Sequence, residues 1–240
     1  MIDIHSHVLF NVDDGPSNLE ESVKMVREAE RLGIQVIIAT PHFQENIFNG
    51  DNVYDSYQEL VHRVRNMDVE IKLGYEVFIT PNVPLINKTK KRLTLNNTSY
   101  LLFEFPFSGV PVYGHETIYK LQLDNITPII AHPERNRTFL KNFGRLLDFR
   151  QTGCLVQVDA ASIAGVYGRH VRRFVKQLVK MDLVDFVASD AHYARDYAAW
   201  YGEAYNSVCR WAGKEYADRL FHKNAEAIVN EAEETVFNII

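Results

Sequence analysis

The chain has 240 residues, 46% of them hydrophobic and 24% charged, which is ordinary for a soluble globular protein and long enough to bury a large core. Its formal net charge of −5 excludes an overall field that attracts nucleic acid or an anionic membrane surface. The two cysteines, Cys154 and Cys209, form no CxxC pair, which excludes a zinc ribbon and a disulfide framework.

The opening Met1-Ile2-Asp3-Ile4-His5 lacks the charged and apolar regions of a signal peptide. No apolar run approaches the ~20 residues that a membrane-spanning helix needs. These features predict a soluble, cytoplasmic chain without direct membrane insertion.

Residues 2–5 open as an apolar run, and a helical pattern follows. Ser17-Asn18-Leu19-Glu20 matches a capping box in which Ser17 caps and Glu20 bonds back. Leu19, Val23, Val26 and Ala29 then recur at helical spacing, and Gly33 is placed to end the helix. Further apolar runs lie at 34–40, 69–77, 100–105, 127–131, 154–158 and 183–188. Several are continuous and β-branched, such as Val36-Ile37-Ile38, which suits strands buried on both faces of a parallel sheet. Helical patterns at 55–67 and 169–181 lie between them, and 81–98 reads as a short helix plus loop. This alternation predicts an α/β fold, a closed or nearly closed parallel barrel in preference to an open doubly wound sheet, as one domain over 1–240.

Of the nine histidines, His5, His7, His42, His132 and His192 fall just past predicted strand ends. Glu76 and Glu104 lie inside apolar strands, where an unpaired charge is costly. Asp13 and Asp14 occupy the loop after the first strand, in a segment that by itself reads as a turn. In a parallel barrel the C-terminal strand ends meet on one rim, so these groups converge. The set His5, His7, Asp14, His42, Glu76, Glu104, His132, Asp190 and His192 is too large for one ion. It suits two or three ions sharing carboxylates, with zinc, manganese or iron matching imidazole and carboxylate donors. Any one of these residues alone reads more simply as a core or surface group; their coincidence at strand ends carries the prediction. The strand near residue 158 offers only Asp159, expected behind the ligands.

Arg135, Arg137 and Arg195 lie close in sequence to His132 and His192, and guanidinium forks match phosphate oxygens. A metal cluster with such forks suits phosphate-ester hydrolysis. His62, His115, His170 and His222 read as surface residues. The pair Arg172-Arg173 and the run 88–92 read as solvated helix faces.

These residues resemble the polymerase-and-histidinol-phosphatase (PHP) superfamily of metallophosphoesterases. The matching segments are Asp3-Ile4-His5-Ser6-His7 with Asp13-Asp14-Gly15, Thr40-Pro41-His42, Ala131-His132-Pro133-Glu134-Arg135, and Ala188-Ser189-Asp190-Ala191-His192. Within it the chain is most similar to the bacterial protein-tyrosine phosphatases of capsule and exopolysaccharide gene clusters. The openings DIHSH and DDGP, the strand LLFEFPF and the segment IIAHPERNR carry that closer match.

The resemblance implies a distorted (βα)7 barrel holding three divalent ions, manganese first and iron, zinc or magnesium as alternatives. It implies one ion on His5, His7, Glu76 and Asp190, a second sharing Glu76 with Glu104 and His132, and a third on Asp14, His42 and His192. It assigns Arg135 to phosphate; Arg195 falls in a segment that varies within this branch. A metal-linked histidine, of which His192 is the candidate, could protonate the leaving group. The implied substrate is the phosphotyrosine tail of a membrane-associated tyrosine autokinase. A small-metabolite phosphatase, acting for example on histidinol phosphate, is the alternative; a nuclease or a simple metal-binding module ranks lower.

Cysteine-based phosphatase chemistry is excluded, because it needs an arginine six residues beyond the cysteine. Ala160 and Glu215 stand there instead.

Overall fold

Strands form where the apolar runs fall. The computed structural model describes residues 1–48, 50–89 and 92–237, with side chains through 231. Its strands are β1 (Ile2–Ser6), β2 (Val36–Ala39), β3 (His42–Phe43), β4 (Glu70–Leu73), β5 (Glu76–Phe78), β6 (Tyr100–Glu104), β7 (Thr127–Ile130), β8 (Leu155–Asp159) and β9 (Phe186–Ala188). Every ladder between them is parallel.

Strand pairing and chain order together give the barrel. Strands β2 and β3 are one strand interrupted at Thr40-Pro41, and β4 and β5 one strand interrupted at Gly74-Tyr75. The Gly74 and Glu76 amides donate to the Ala39 and Pro41 carbonyls and carry the pairing across both interruptions. The two sheets, β1-β2-β4 and β3-β5-β6-β7-β8-β9, are therefore halves of one curled sheet. The ends meet where Asp190 N–H donates to the His5 carbonyl and His7 N–H to the Ala191 carbonyl, each at 2.9 Å. The nine strands among the described residues thus fill seven positions, a distorted (βα)7 barrel.

Inside the barrel lie Ile2, Ile4, Ile38, Leu102, Ile129 and Ala188, closed off below by Ala225 and Ile228 of the last helix, Asn224–Phe237. A larger apolar layer packs between barrel and surrounding helices and contains Val23, Met25, Val26 and Ala29 of the first helix, Leu19–Arg31. The β1–β2 register slips between Asp3 and Ser6. That irregularity accounts for a change of parity: Ile2 and Ile4 join the inner core, whereas His5 and His7 reach the site above it.

The first helix starts one residue later than its sequence suggests. Asn18 caps it, accepting from Glu21 N–H at 3.1 Å, and Glu21 rather than Glu20 bonds back to Ser17 N–H and Oγ–H. Asn and Ser are equally good caps, so the sequence alone does not decide the register. The predicted short helix in 81–98 is Val83–Thr89. In the run 88–92, Lys88 pairs with Asp124 at 2.7 Å, and Lys90 and Lys91 lie outside the described residues. No helix among the described residues is long and apolar enough to cross a membrane.

Candidate active site

The C-terminal strand ends bring together all nine metal-type residues named from the sequence. The ligand atoms of eight of them fall into overlapping groups, each within 4.8 Å: His5, His7, Glu76 and Asp190; His42, Glu76 and Glu104; and His7, Asp14, His42 and His192; His132 stands outside these groups and meets them through Glu76. Glu76 sits at the junction, with Oε1 2.7 Å from His132 Nε2 and Oε2 at 2.9 Å from His42 Nδ1 and 3.3 Å from both His5 Nε2 and His7 Nε2. His132 and Asp190 adopt left-handed backbone conformations, φ 31° and 50°, directly after β7 and β9. Such conformations are strained in residues other than glycine and persist where the surrounding structure fixes a side chain for use.

The imidazoles are held from behind. His5 Nδ1 lies 3.0 Å from Gln157 Oε1, His7 Nδ1 2.7 Å from Asp13 Oδ2, and His192 Nδ1 3.0 Å from the Asp190 carbonyl oxygen. All three partners are acceptors, which places the ring proton on Nδ1 and turns each Nε2 lone pair into the cluster. His5 Nε2 and His7 Nε2 then face each other at 3.3 Å. Glu76 Oε2 is buried and accepts no well-aligned hydrogen bond among the described residues, despite the three imidazole nitrogens around it. Lone pairs converging on a buried, unbonded carboxylate oxygen form a donor set for cations.

Electrostatics agree. Burial alone would raise the Glu76 pKa, but His5, His132 and His42 hold it well below the usual carboxylate range. Burial alone would lower the His132 pKa, but Asp159 and Glu76 push it up to about 10. When His192 carries both ring protons, its Nε2–H bonds Asp14 Oδ1 at 3.2 Å and brings Asp14 down to about 2. Against the effect of burial, the surrounding carboxylates thus raise the pKa of His5, His7, His42 and His132.

Arg135 stands at the pocket wall. Its Nη1 donates to Asp190 Oδ2 at 2.7 Å and Asp159 Oδ2 at 3.3 Å, so Asp159 lies behind the ligands as expected from its strand position. The guanidinium lies between the rings of Phe107, 4.6 Å away, and Tyr167, 4.7 Å away. Its remaining N–H groups have no hydrogen-bond partner among the described residues. Arg195 does not join it: the side chain is 78% exposed and lies over Tyr193. The cause is local. Asp196 accepts from the His192 and Tyr193 amides at 2.9 Å, and this turn directs Arg195 outward. Arg137 is also exposed, at the start of the helix Arg137–Lys141.

The structure gives roles to residues that the sequence left outside the ligand set. Asp3 accepts from Ser189 N–H, Ser189 Oγ–H and Tyr197 O–H, locking the His5 strand to the loop of Asp190 and His192. Asp13 binds His7 and also accepts from the His42 amide at 3.0 Å. Gly15 is required beside it, because a Cβ there would lie 2.4 Å from the His7 carbonyl oxygen. Asp13→Asn is expected to keep the fold and weaken metal affinity by roughly 10- to 100-fold, the usual effect of losing a carboxylate behind a ligand histidine. Metal titration of the folded variant checks this, and unchanged affinity would contradict it.

A model of the family "Capsular polysaccharide synthesis, CpsB/CapC" matches residues 1–230. The chain belongs to the CpsB/CapC family. It is 39% identical over 196 residues to the tyrosine-protein phosphatase YwqE of Bacillus subtilis, covering 80% of this chain and 77% of that one. It is 33% identical over 238 residues to the tyrosine-protein phosphatase CpsB of Streptococcus agalactiae, covering 95% and 98%. It superposes with a TM-score of 0.90, at 35% identity and 96% and 95% coverage, on a chain from the crystal structures of YwqE from Bacillus subtilis and CpsB from Streptococcus pneumoniae, unique metal-dependent tyrosine phosphatases.

Neither cysteine of this CpsB/CapC chain approaches the site chemistry. Cys154 precedes β8, at the barrel end opposite the cluster, and burial pushes its thiol up to about 12. Cys209 lies in the outer helix Gly202–Ala212.

Proposed function

We propose that the chain is a metal-dependent protein-tyrosine phosphatase built on the PHP plan, working as one unit over 1–240. The observation that carries this reading is the convergence of imidazole lone pairs on the unbonded Glu76 Oε2, beside an arginine with N–H groups to spare. In this reading His5, His7, Glu76 and Asp190 hold one divalent ion, Glu76, Glu104 and His132 a second, and Asp14, His42 and His192 a third, with manganese the first choice. Bound there, divalent ions supply Lewis-acid charge and activate water near neutral pH.

The chain's own residues do the rest. Arg135, fixed by Asp190 and Asp159, presents its free N–H groups to phosphoryl oxygens and offsets their growing charge. The pocket lined by Asp14, His42, Glu76, Glu104, Phe107, His132, Arg135, Asp190 and His192 has a volume of about 160 Å³. That admits ions and a phosphoryl group. The tyrosyl ring is placed at the rim against Phe107, which is 47% exposed and 5.7 Å from His132. A phenol is a good leaving group, with a parent pKa of ~10, so it needs little help from an acid such as His192. The substrate is taken to be the phosphotyrosine tail of a membrane-associated tyrosine autokinase in the cytoplasm, and neither nucleic acid nor direct membrane insertion enters the reading.

A substrate panel with added manganese tests it: phosphotyrosine peptide, phosphoserine peptide, histidinol phosphate and single-stranded DNA. The phosphotyrosine peptide should show the highest kcat/KM. An equal or higher value for histidinol phosphate would move the chain to small-metabolite hydrolysis.

A further inference from the structure

The helix Gly168–Lys180 breaks the local rules that stabilise helices. It carries Arg169, Arg172, Arg173, Lys176 and Lys180 with no acidic residue. Arg169 and His170 stand in its first turn, against the helix dipole, and no side chain caps it. Arg169 and Arg173, Arg172 and Lys176, and Lys176 and Lys180 place like charges four residues apart, which also works against the helix. Among the described residues none of these five cations makes an ion pair. Elsewhere Arg31, Arg63, Lys72, Lys120, Arg210 and Arg219 all have acidic partners. In a chain of net charge −5, this arrangement opposes helix stability and leaves five cations open to a role outside the helix.

Position indicates the use. Tyr167, whose ring covers the Arg135 guanidinium at the pocket wall, immediately precedes the helix. The cationic face thus begins at the active-site rim. From Arg169 to Lys180 it extends about 17 Å at 1.5 Å per residue, the reach of roughly five residues of extended peptide. Arg172 and Lys176 are steadied over the Trp211 ring, at 5.8 and 5.5 Å, while Arg169, Arg173 and Lys180 are exposed.

We propose that this helix is a docking surface for acidic or additionally phosphorylated residues flanking the target phosphotyrosine. The proposal rests on the phosphotyrosine reading given above. A peptide fits better than a lipid surface, because an interfacial helix buries its apolar face in lipid. Here Val171, Phe174, Val175, Leu178 and Val179 are already buried in the protein.

The test compares manganese-loaded full-length chain with the variant R169Q/R173Q/K180Q on three substrates. These are p-nitrophenyl phosphate, a phosphotyrosine peptide with alanine flanks, and the same peptide with glutamate flanks on either side. The wild type should favour the acidic peptide by about tenfold in kcat/KM at low ionic strength, and the gap should close to about twofold at 0.5 M salt, where screening is strong. The variant should lose the gap and retain p-nitrophenyl phosphate turnover. The wild-type salt series stands by itself if the variant folds poorly. Equal turnover of the two peptides by wild type at low salt would overturn the proposal. So would a variant that keeps the gap and loses only binding to phosphatidylserine vesicles. Hydrolysis of p-nitrophenyl phosphate but of neither peptide would overturn the function reading together with it.

Discussion

Glu76→Gln is expected to abolish hydrolysis, by at least about 10³-fold, and to lower the metal content of the folded protein. A loss of ~10²–10³ is typical when a single charge-stabilising donor is removed. Glu76 should exceed it because its two oxygens face His132, His42, His5 and His7 at once. Glutamine preserves size, but it removes the charge that gathers the cations and aims an N–H₂ group at lone pairs. Elemental analysis and kcat/KM on the same preparation check the result. A folded variant with full metal content and near wild-type turnover would show that Glu76 is only a buried structural carboxylate.

Arg135→Ala is expected to lower kcat/KM by ~10²–10³ for phosphate esters of any leaving group, because the phosphoryl oxygens are common to all. Metal content should stay near wild type, since a guanidinium does not ligate a cation. A small loss of occupancy is acceptable, because Arg135 also steadies Asp190 at 2.7 Å. Arg135→Lys should rescue only part of the rate, as ammonium keeps the charge and loses both the fork and the stacking between Phe107 and Tyr167. Normal turnover in a folded Arg135→Ala protein would remove Arg135 from phosphate binding.

The barrel was legible because strands of a parallel sheet are buried on both faces and so read as unbroken apolar runs. The ligands were legible for a related reason: a histidine or glutamate at the end of such a run is conspicuous, and the fold gathers strand ends on one rim. What supports them was harder to read. Asp13 and Asp14 are adjacent in one turn; the resemblance paired Asp14 with His192, but only the folded loop shows that Asp13 reaches back to His7 Nδ1. Gln157 and Asp3 are polar residues within apolar strands, but their partners His5, Ser189 and Tyr197 are chosen by packing across the barrel. Arg195 points outward in the structure, and its spacing after His192 says nothing about the Asp196 turn that directs it there. Tyr167 gave no signal, since its contact with Arg135 depends on how the loop before its helix folds over the rim.

Dependence of catalysis on several divalent ions in this cluster is tested by measuring metal content and phosphotyrosine turnover together, before chelation, after chelation, and after manganese is restored. More than one divalent ion per active chain, loss of activity with loss of metal, and recovery on adding manganese back are the expected results. One ion or none in fully active protein, or activity that survives complete metal removal, would contradict that dependence.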